Sequence, residues 1–268
     1  MAGKLAMLAC DGALPVQIAQ AYPEALKITL KGVPHRLGQD SQEFPIEHLG
    51  SVFDALKAAE IDQLVFAGSL NRPAMDPAAF DAVMTSVAPR LLAAMQGGDD
   101  ALLRQVIEIF EETGVSVIGA HELLPELTAI DGLQIGPVPG VEELEDTDRA
   151  CAILKALSPL DVGQGCVVAG GQCLGIETLQ GTDALLRYVS ETPEKLRRGH
   201  KGVYVKAAKQ GQDLRVDMPA IGPETVAAVA VAGLAGLVIE AGRVMILERE
   251  KTLQAVEGNG IFLTARTL

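Results

Sequence analysis

The sequence predicts two domains: an α/β N-terminal domain built on an open parallel sheet, and an α+β C-terminal domain. Three observations carry this. Short apolar runs alternate with helix-spaced segments through the first half. The stretch Ile135-Gly136-Pro137-Val138-Pro139-Gly140 sets two prolines and two glycines between polar flanks, which is the composition of a connection. Beyond it, strands arrive in pairs around glycine turns. The expected boundaries are residues 1–134, a linker at 135–146, and residues 147–268.

The elements of the first half follow in order. Residues 5–10 read as a strand, 15–22 as a short helix and 25–30 as a second strand. Leu49, Val52, Phe53 and Leu56 keep helical spacing and place a helix at 49–59. Residues 64–67 form a short buried strand. The clearest helix is 99–113, with Leu102, Leu103, Val106, Ile107 and Phe110 on one face. Asp99 and Asp100 suit its positive end, and Gly114 stops it. Residues 115–119 are the next strand. Such alternation makes an open parallel sheet, Rossmann-like, with helices packed over it.

The strand ends carry Asp11 and Gly12, then Gly68-Ser69-Leu70-Asn71-Arg72-Pro73, then Gly119-Ala120-His121. In an open parallel sheet these share one rim, where such sheets bind ligands. There is no GxGxxG and no Walker motif, so neither a dinucleotide cofactor nor ATP is expected.

In the second half a helix covers 148–157, after the acidic run Glu142, Glu143, Glu145 and Asp146. Residues 166–169 and 173–176 flank Gly170-Gly171-Gln172 as a hairpin. Residues 202–206 and 214–218 read as two more strands. Gly222-Pro223-Glu224 opens a helix from Thr225, with proline at a favoured first-turn position. Residues 238–240 and 244–247 flank Ala241-Gly242 as another hairpin.

Composition narrows the function. Of 268 residues, 49% are apolar and 21% charged, which fits a folded globule. Tryptophan is absent and aromatics are 3%, so the core must rest on Ala, Val, Leu and Ile. A net charge of -13 argues against nucleic-acid binding, which needs a basic face. The dense basic cluster Arg197-Arg198-Gly199-His200-Lys201 reads as a solvated loop or as a contact for an anionic ligand or lipid headgroup. Cys10, Cys151, Cys166 and Cys173 form no CxxC pair and lie in apolar runs, as buried thiols of a reducing compartment do. The opening apolar run meets Asp11 too soon for a signal peptide. The longest apolar run, 226–239, is too short to span a bilayer and holds two glycines, so it reads as a core helix running into a strand. A cytoplasmic protein is expected, with at most peripheral contact with the inner membrane.

Chemistry concentrates between Gly175 and Asp217. Glu177, Asp183, Asp213 and Asp217 lie there with Thr182, Lys206, Gln212 and Arg215 among short apolar runs. Buried charge is costly unless it is paired or bound to a metal. Carboxylates hold a hard cation, and cations and basic groups neutralise phosphate esters. If the strands at 202–206 and 214–218 pair, Lys206 and Asp217 come within reach of one ligand; structural salt bridges are the competing explanation. His121 and His200 do not form a zinc ligand set, and no GxSxG marks a serine nucleophile. The remaining chemistry is attack by water on phosphorus, helped by Mg2+ or Mn2+ on carboxylates.

The blocks Gly12-Ala13-Leu14-Pro15, Gly68 to Pro73, Gly98 to Arg104, Asp161-Val162-Gly163-Gln164, Leu174-Gly175-Ile176-Glu177, Gly181-Thr182-Asp183, Val205-Lys206 and Gln212 to Asp217 occur in this order and spacing. Together they closely resemble the UDP-2,3-diacylglucosamine diphosphatases of lipid A biosynthesis, the type unrelated to the metallophosphoesterases. The resemblance runs from residue 5 nearly to the end. One departure is Ala9-Cys10-Asp11-Gly12-Ala13-Leu14-Pro15, where Gly-x-Gly-x-Leu-Pro is usual. The resemblance implies hydrolysis of UDP-2,3-diacylglucosamine to 2,3-diacylglucosamine 1-phosphate (lipid X) and UMP, with water directed at the β-phosphorus. It also implies a divalent cation, Mg2+ or Mn2+, and a homodimer.

Asp217 matches the family's essential aspartate and is assigned to metal binding or water activation. Asp183 joins it as a catalytic and metal-binding acid, and Lys206 as a catalytic cation directed at the pyrophosphate. The expected substrate-binding residues are Asp11, Gly12, Asn71, Arg72, Asp99, His121, Gln164, Glu177, Thr182, Gln212 and Arg215, with Asp11, Asn71 and Arg72 toward the uridine end. Two competing readings are a non-catalytic binding protein for an anionic glycolipid or sugar nucleotide, and a transferase that uses an acceptor hydroxyl. The carboxylates count against the first, since a carrier of anions seldom surrounds its cargo with acids.

Overall fold

The computed structural model describes residues 3–70 and 74–268. Asn71 and Arg72 therefore lie outside the described residues. The chain divides into two compact units, Met1–Pro125 with Asp213–Asp217, and Glu126–Gln212 with Met218–Leu268.

In unit 1 the elements are β1 (Leu5–Ala9), α1 (Leu14–Ala21), β2 (Leu26–Leu30), β3 (Gln42–Phe44), α2 (Leu49–Ala58), β4 (Gln63–Ala67), α3 (Ala82–Met95), α4 (Asp99–Glu111), β5 (Ser116–Ile118) and α5 (Ala120–Leu123). The strands form one parallel sheet in the order β3-β2-β1-β4-β5. This is the open parallel sheet that the alternation predicts. One face packs Ala6, Leu8, Ile28, Leu30 and Leu64 against Val52 and Leu56 of α2 and Ile107 and Phe110 of α4. The Phe110 ring meets Phe53 and Phe66 edge-on, with centroids 5.2 and 5.3 Å apart, a favoured aromatic geometry. Helix α3 is not announced by the sequence, because Pro89 sits inside it. Its start is fixed by Asp81, whose carboxylate accepts from the Met84 and Gly50 N–H groups at 2.7 Å each.

The strand expected at 214–218 is instead a turn. The N–H groups of Val216 and Asp217 donate to the Asp213 carbonyl at 3.3 and 3.1 Å. The Asp213 carboxylate accepts from the Arg215 N–H at 3.1 Å, a local bond that competes with a sheet ladder. Val216 packs on the unit 1 core.

Unit 2 contains β6 (Gln134–Ile135), α6 (Val141–Leu157), β7 (Gly165–Ala169), β8 (Gln172–Ile176), α7 (Gly181–Ser190), α8 (Glu194–Arg197), β9 (Val203–Lys206), β10 (Ala220–Ile221), α9 (Pro223–Val231), β11 (Gly236–Glu240), β12 (Met245–Ile246), α10 (Arg249–Gly258) and β13 (Phe262–Arg266). Its main sheet is mixed, in the order β6-β13-β11-β9-β7-β8. Strands β9, β11 and β13 run parallel, while β6 and β7 lie antiparallel to their neighbours. The β7–β8 hairpin forms as expected, turning on Gly170 and Gly171 at φ 55° and 72°. On one face Leu185 and Val189 of α7 and Val226 and Val229 of α9 pack over Tyr204, Leu237 and Ile239. On the other, Ala150 and Leu154 of α6 cover Cys166, Val168, Val203 and Val205.

Two local expectations are corrected. The hairpin across Ala241-Gly242 does not form: β11 lies parallel between β9 and β13, and β12 pairs parallel with β10. Leu237, Val238 and Ile239 are all buried, as in a central parallel strand covered on both faces. Helix α6 begins at Val141, seven residues before the expected 148. Glu142 and Glu143 suit its positive end, and the Glu143 carboxylate accepts from the Gly140 N–H at 2.9 Å. Residues 135–146 thus hold the end of β6 and the first turns of α6. Among the described residues no helix is long and apolar enough to cross a membrane.

All four cysteines are free; Cys10 and Cys166 are buried and Cys151 partly so, while Cys173 is exposed, contrary to the expectation of a buried thiol. Burial pushes the thiols of Cys10 and Cys151 from 9.0 up to about 11, and that of Cys166 higher still. The folded chain holds these protons after an unfolded chain would release them. The associated stability is therefore intact below pH 9 and is lost as pH rises toward about 11. A calorimetric melting temperature that falls across this window is the expected result, and one that rises contradicts it.

Candidate active site

Strand β9 organises a polar cluster in unit 2. Its side chains alternate between faces: Val203 and Val205 enter the core under α6, while Tyr204 enters the core under α7. Lys206 follows Tyr204 on that same face and sits opposite Gly165 in the ladder. Beside Gly165 the chain leaves β8, and the Glu177 N–H donates to the Gly165 carbonyl at 2.7 Å. Helix α7 then starts at Gly181, at φ 82°, and its first turn carries Thr182 and Asp183.

Three donors converge on a single carboxylate oxygen, Glu177 Oε2. Thr182 Oγ1 donates to it at 2.9 Å, Tyr204 Oη at 3.3 Å and Lys206 Nζ at 3.3 Å. Lys206 Nζ also donates to Thr182 Oγ1 at 2.6 Å. The Lys206 and Glu177 side chains are 7% and 12% exposed. Burying either charge alone would cost several kcal/mol, so each is held by the other and by the hydroxyls. Burial, and next the Glu177 charge, push the Tyr204 phenol well above its ordinary value of 10.0. It is a neutral donor across the physiological range. Asp183 is exposed, and its charge adds to that rise.

Chemically, Lys206 offers a compact ammonium charge and Thr182 a hydroxyl, a pair suited to oxygens of an anionic group. Among the described residues no group of three or more His, Cys, Asp or Glu gathers as a metal cage. Mg2+ seldom needs one, because it is often held by one or two carboxylates with substrate phosphates and water. Asp183, exposed beside the cluster, fits such a role; Glu177 does not, being committed to three donors.

The other expected residues take the following places, Gln164 bordering the cluster next to Gly165. The Asp217 carboxylate follows the turn at 213–217, which belongs to unit 1 and does not pair with β9. Arg215 bonds the Asp213 carboxylate at 2.7 Å and Glu111 Oε1 at 2.9 Å. This guanidinium holds Asp213 below its ordinary value, and Asp213 in turn raises Arg215. Gln212 is buried and accepts from the Lys209 N–H at 2.9 Å. Gln164 accepts from the Ala207 N–H through its carbonyl at 2.9 Å. Asp99 sits in the first turn of α4.

At the carboxyl rim of the unit 1 sheet, Asp11 Oδ1 accepts from the Gly12 N–H at 2.7 Å and lies 3.5 Å from Arg36 Nε. Asp11 and Ser69 exchange backbone bonds of 3.3 and 2.8 Å, joining the ends of β1 and β4 where strand order reverses. His121 follows β5 in α5, and its Nδ1 is buried with no hydrogen-bond partner among the described residues.

Sequence reasoning missed Tyr204 and Gly165. Strand alternation through 203–206 is the signal that finds Tyr204, because it shares a face with Lys206. It also missed Gln17, Thr29 and His35 of unit 1, whose Oε1, Oγ1 and Nδ1 are buried with no hydrogen-bond partner among the described residues.

These features define an α/β protein of two units whose C-terminal sheet ends in a lysine, carboxylate and hydroxyl cluster suited to an anionic ligand. The LpxI N-terminal domain family matches residues 4–127, and the LpxI C-terminal domain family matches residues 131–264. The UDP-2,3-diacylglucosamine pyrophosphatase LpxI of Caulobacter vibrioides is 38% identical over 270 residues, covering 97% of this chain and 96% of that protein. The chain belongs to the LpxI family.

Proposed function

We propose that the chain hydrolyses the diphosphate of UDP-2,3-diacylglucosamine in lipid A biosynthesis, releasing UMP and lipid X. The near-full-length likeness to the Caulobacter vibrioides enzyme supports the substrate. The observation that carries the chemistry is the Lys206, Thr182 and Glu177 cluster at the end of β9.

In this reading the water oxygen bonds to the β-phosphorus. The bond from that phosphorus to the bridging oxygen breaks, and UMP leaves with the bridge. Asp217, by the match of its sequence block, accepts the proton of the attacking water or serves a cation. Lys206 turns its ammonium to a phosphate oxygen, while the Thr182 hydroxyl keeps donating to Glu177 Oε2. Asp183 is the acid beside the cluster proposed to serve a Mg2+ or Mn2+ ion, which when bound would supply charge neutralisation on the diphosphate. A homodimer at the cytoplasmic surface of the inner membrane belongs to the same proposal.

The test is turnover in ¹⁸O-labelled water with and without EDTA. Label is expected in lipid X and not in UMP, and EDTA is expected to cut the rate by about 10²-fold or more. Label in UMP refutes attack at the β-phosphorus. Full activity in EDTA refutes the cation.

A further inference from the structure

We infer that Tyr204 is a positioning residue of this site, acting through Glu177 on Lys206. The inference deepens the proposed function and rests on the cluster taking part in turnover. Tyr204 is 0% exposed, so substrate does not reach its hydroxyl. It nonetheless spends that hydroxyl on the oxygen that holds Lys206, 3.3 Å from Glu177 Oε2. The same hydroxyl lies 3.4 Å from Thr182 Oγ1. A plain core position would be filled by phenylalanine, which buries a ring without an O–H to satisfy.

The space behind the cluster is shaped to keep this arrangement. A Cβ on Gly165 would stand 2.5 Å from Glu177 Oε2 and 2.7 Å from Tyr204 Oη. Gly165 shows no left-handed φ, so its lack of a side chain serves space and not backbone freedom. Glycine and phenol together form a wall against which the carboxylate sits in one place. Lys206 is flexible on its four-carbon stem. Pinned between Glu177 and Thr182, it is held ready where a phosphate oxygen can replace the carboxylate.

The experiment is a double-mutant cycle with Tyr204→Phe and Lys206→Ala, read as kcat and KM for UDP-2,3-diacylglucosamine hydrolysis on variants shown by circular dichroism to be folded. Lys206→Ala is expected to lower kcat by roughly 10²-fold, and Tyr204→Phe by roughly 10-fold with KM changed less than about 2-fold. In the Lys206→Ala background, Tyr204→Phe should cost nothing further. A residue with a merely structural role would lower the melting temperature and leave kcat alone.

If Lys206→Ala turns over like the wild type, the functional reading of the cluster fails and takes this inference with it. Should Lys206→Ala be impaired while Tyr204→Phe is normal, or should the two losses multiply, the inference alone is overturned. Gly165→Ala decides the matter independently if Tyr204→Phe does not fold. Its Cβ must displace Glu177 or Tyr204, so a similar fall in kcat supports the inference and a wild-type kcat overturns it.

Discussion

Asp217→Ala is expected to fold, to bind UDP-2,3-diacylglucosamine, and to lose about 10³-fold in kcat. The expectation of folding comes from the turn. Its shape is set by the Asp213 carbonyl, which takes the N–H groups of Val216 and Asp217, and by Val216, which packs on the unit 1 core. Arg215 adds a clasp between Asp213 and Glu111. These bonds hold the turn through its backbone and through the Asp213 and Arg215 side chains. The loss of rate follows from the proposed role, because a carboxylate that takes a proton or serves a cation typically supplies 10²- to 10⁴-fold. The measurement is a pair: the melting temperature, which should stay near that of the wild type, and single-turnover rates at saturating substrate. Near-normal rates remove Asp217 from the chemistry. A collapse of the melting temperature alongside the rate makes it a structural acid instead.

The same turn shows where sequence reading stops. The parallel sheet of unit 1 was legible because its strands are short apolar runs separated by helix-spaced segments, and α4 because Asp99, Asp100 and Gly114 mark its ends. The block around Asp217 was legible as chemistry but not as shape. Residues 214–218 have the alternation of a strand, yet Asp213 bonds the backbone two residues on and the chain curls. Arg215 looked free for a phosphate; its partner Glu111 stands 104 residues away in sequence, a pairing that no local pattern encodes. The hairpin expected across Ala241-Gly242 failed for a similar reason. A glycine turn says that the chain reverses locally, but the buried run Leu237-Val238-Ile239 found better partners on both sides in β9 and β13. Lys206, Thr182 and Glu177 come together because β9 ends opposite Gly165, beside the chain that leaves β8 and turns into α7. Tyr204 was passed over for its aromatic character, which reads as core until its hydroxyl is followed.

Asp146→Ala is expected to lower stability by about 3 kcal/mol, and Asp146→Asn by about half as much. Asp146 read as part of an acidic run beside a linker. In the fold it is 3% exposed on α6. Its two carboxylate oxygens accept from consecutive N–H groups of the β7–β8 turn, Gly170 at 2.9 Å and Gly171 at 2.7 Å. Bonds to a charged acceptor contribute about 1.5 to 3 kcal/mol each, and their loss strands two donors. Asparagine keeps one acceptor oxygen, so one bond survives. For a chain of this size the alanine variant should melt about 6 to 12 °C lower. The consequence reaches function, because the hairpin that this acid holds carries Gly165 at one open end and leads to Glu177 at the other. Loosening the turn should therefore lower kcat at temperatures where the variant is still folded, with the deficit growing on warming. Urea titration of the three proteins, read beside their rates, checks both parts. Stability of Asp146→Ala within about 0.5 kcal/mol of the wild type would mean that the turn holds without the acid, and the link from α6 to the site would fall with it.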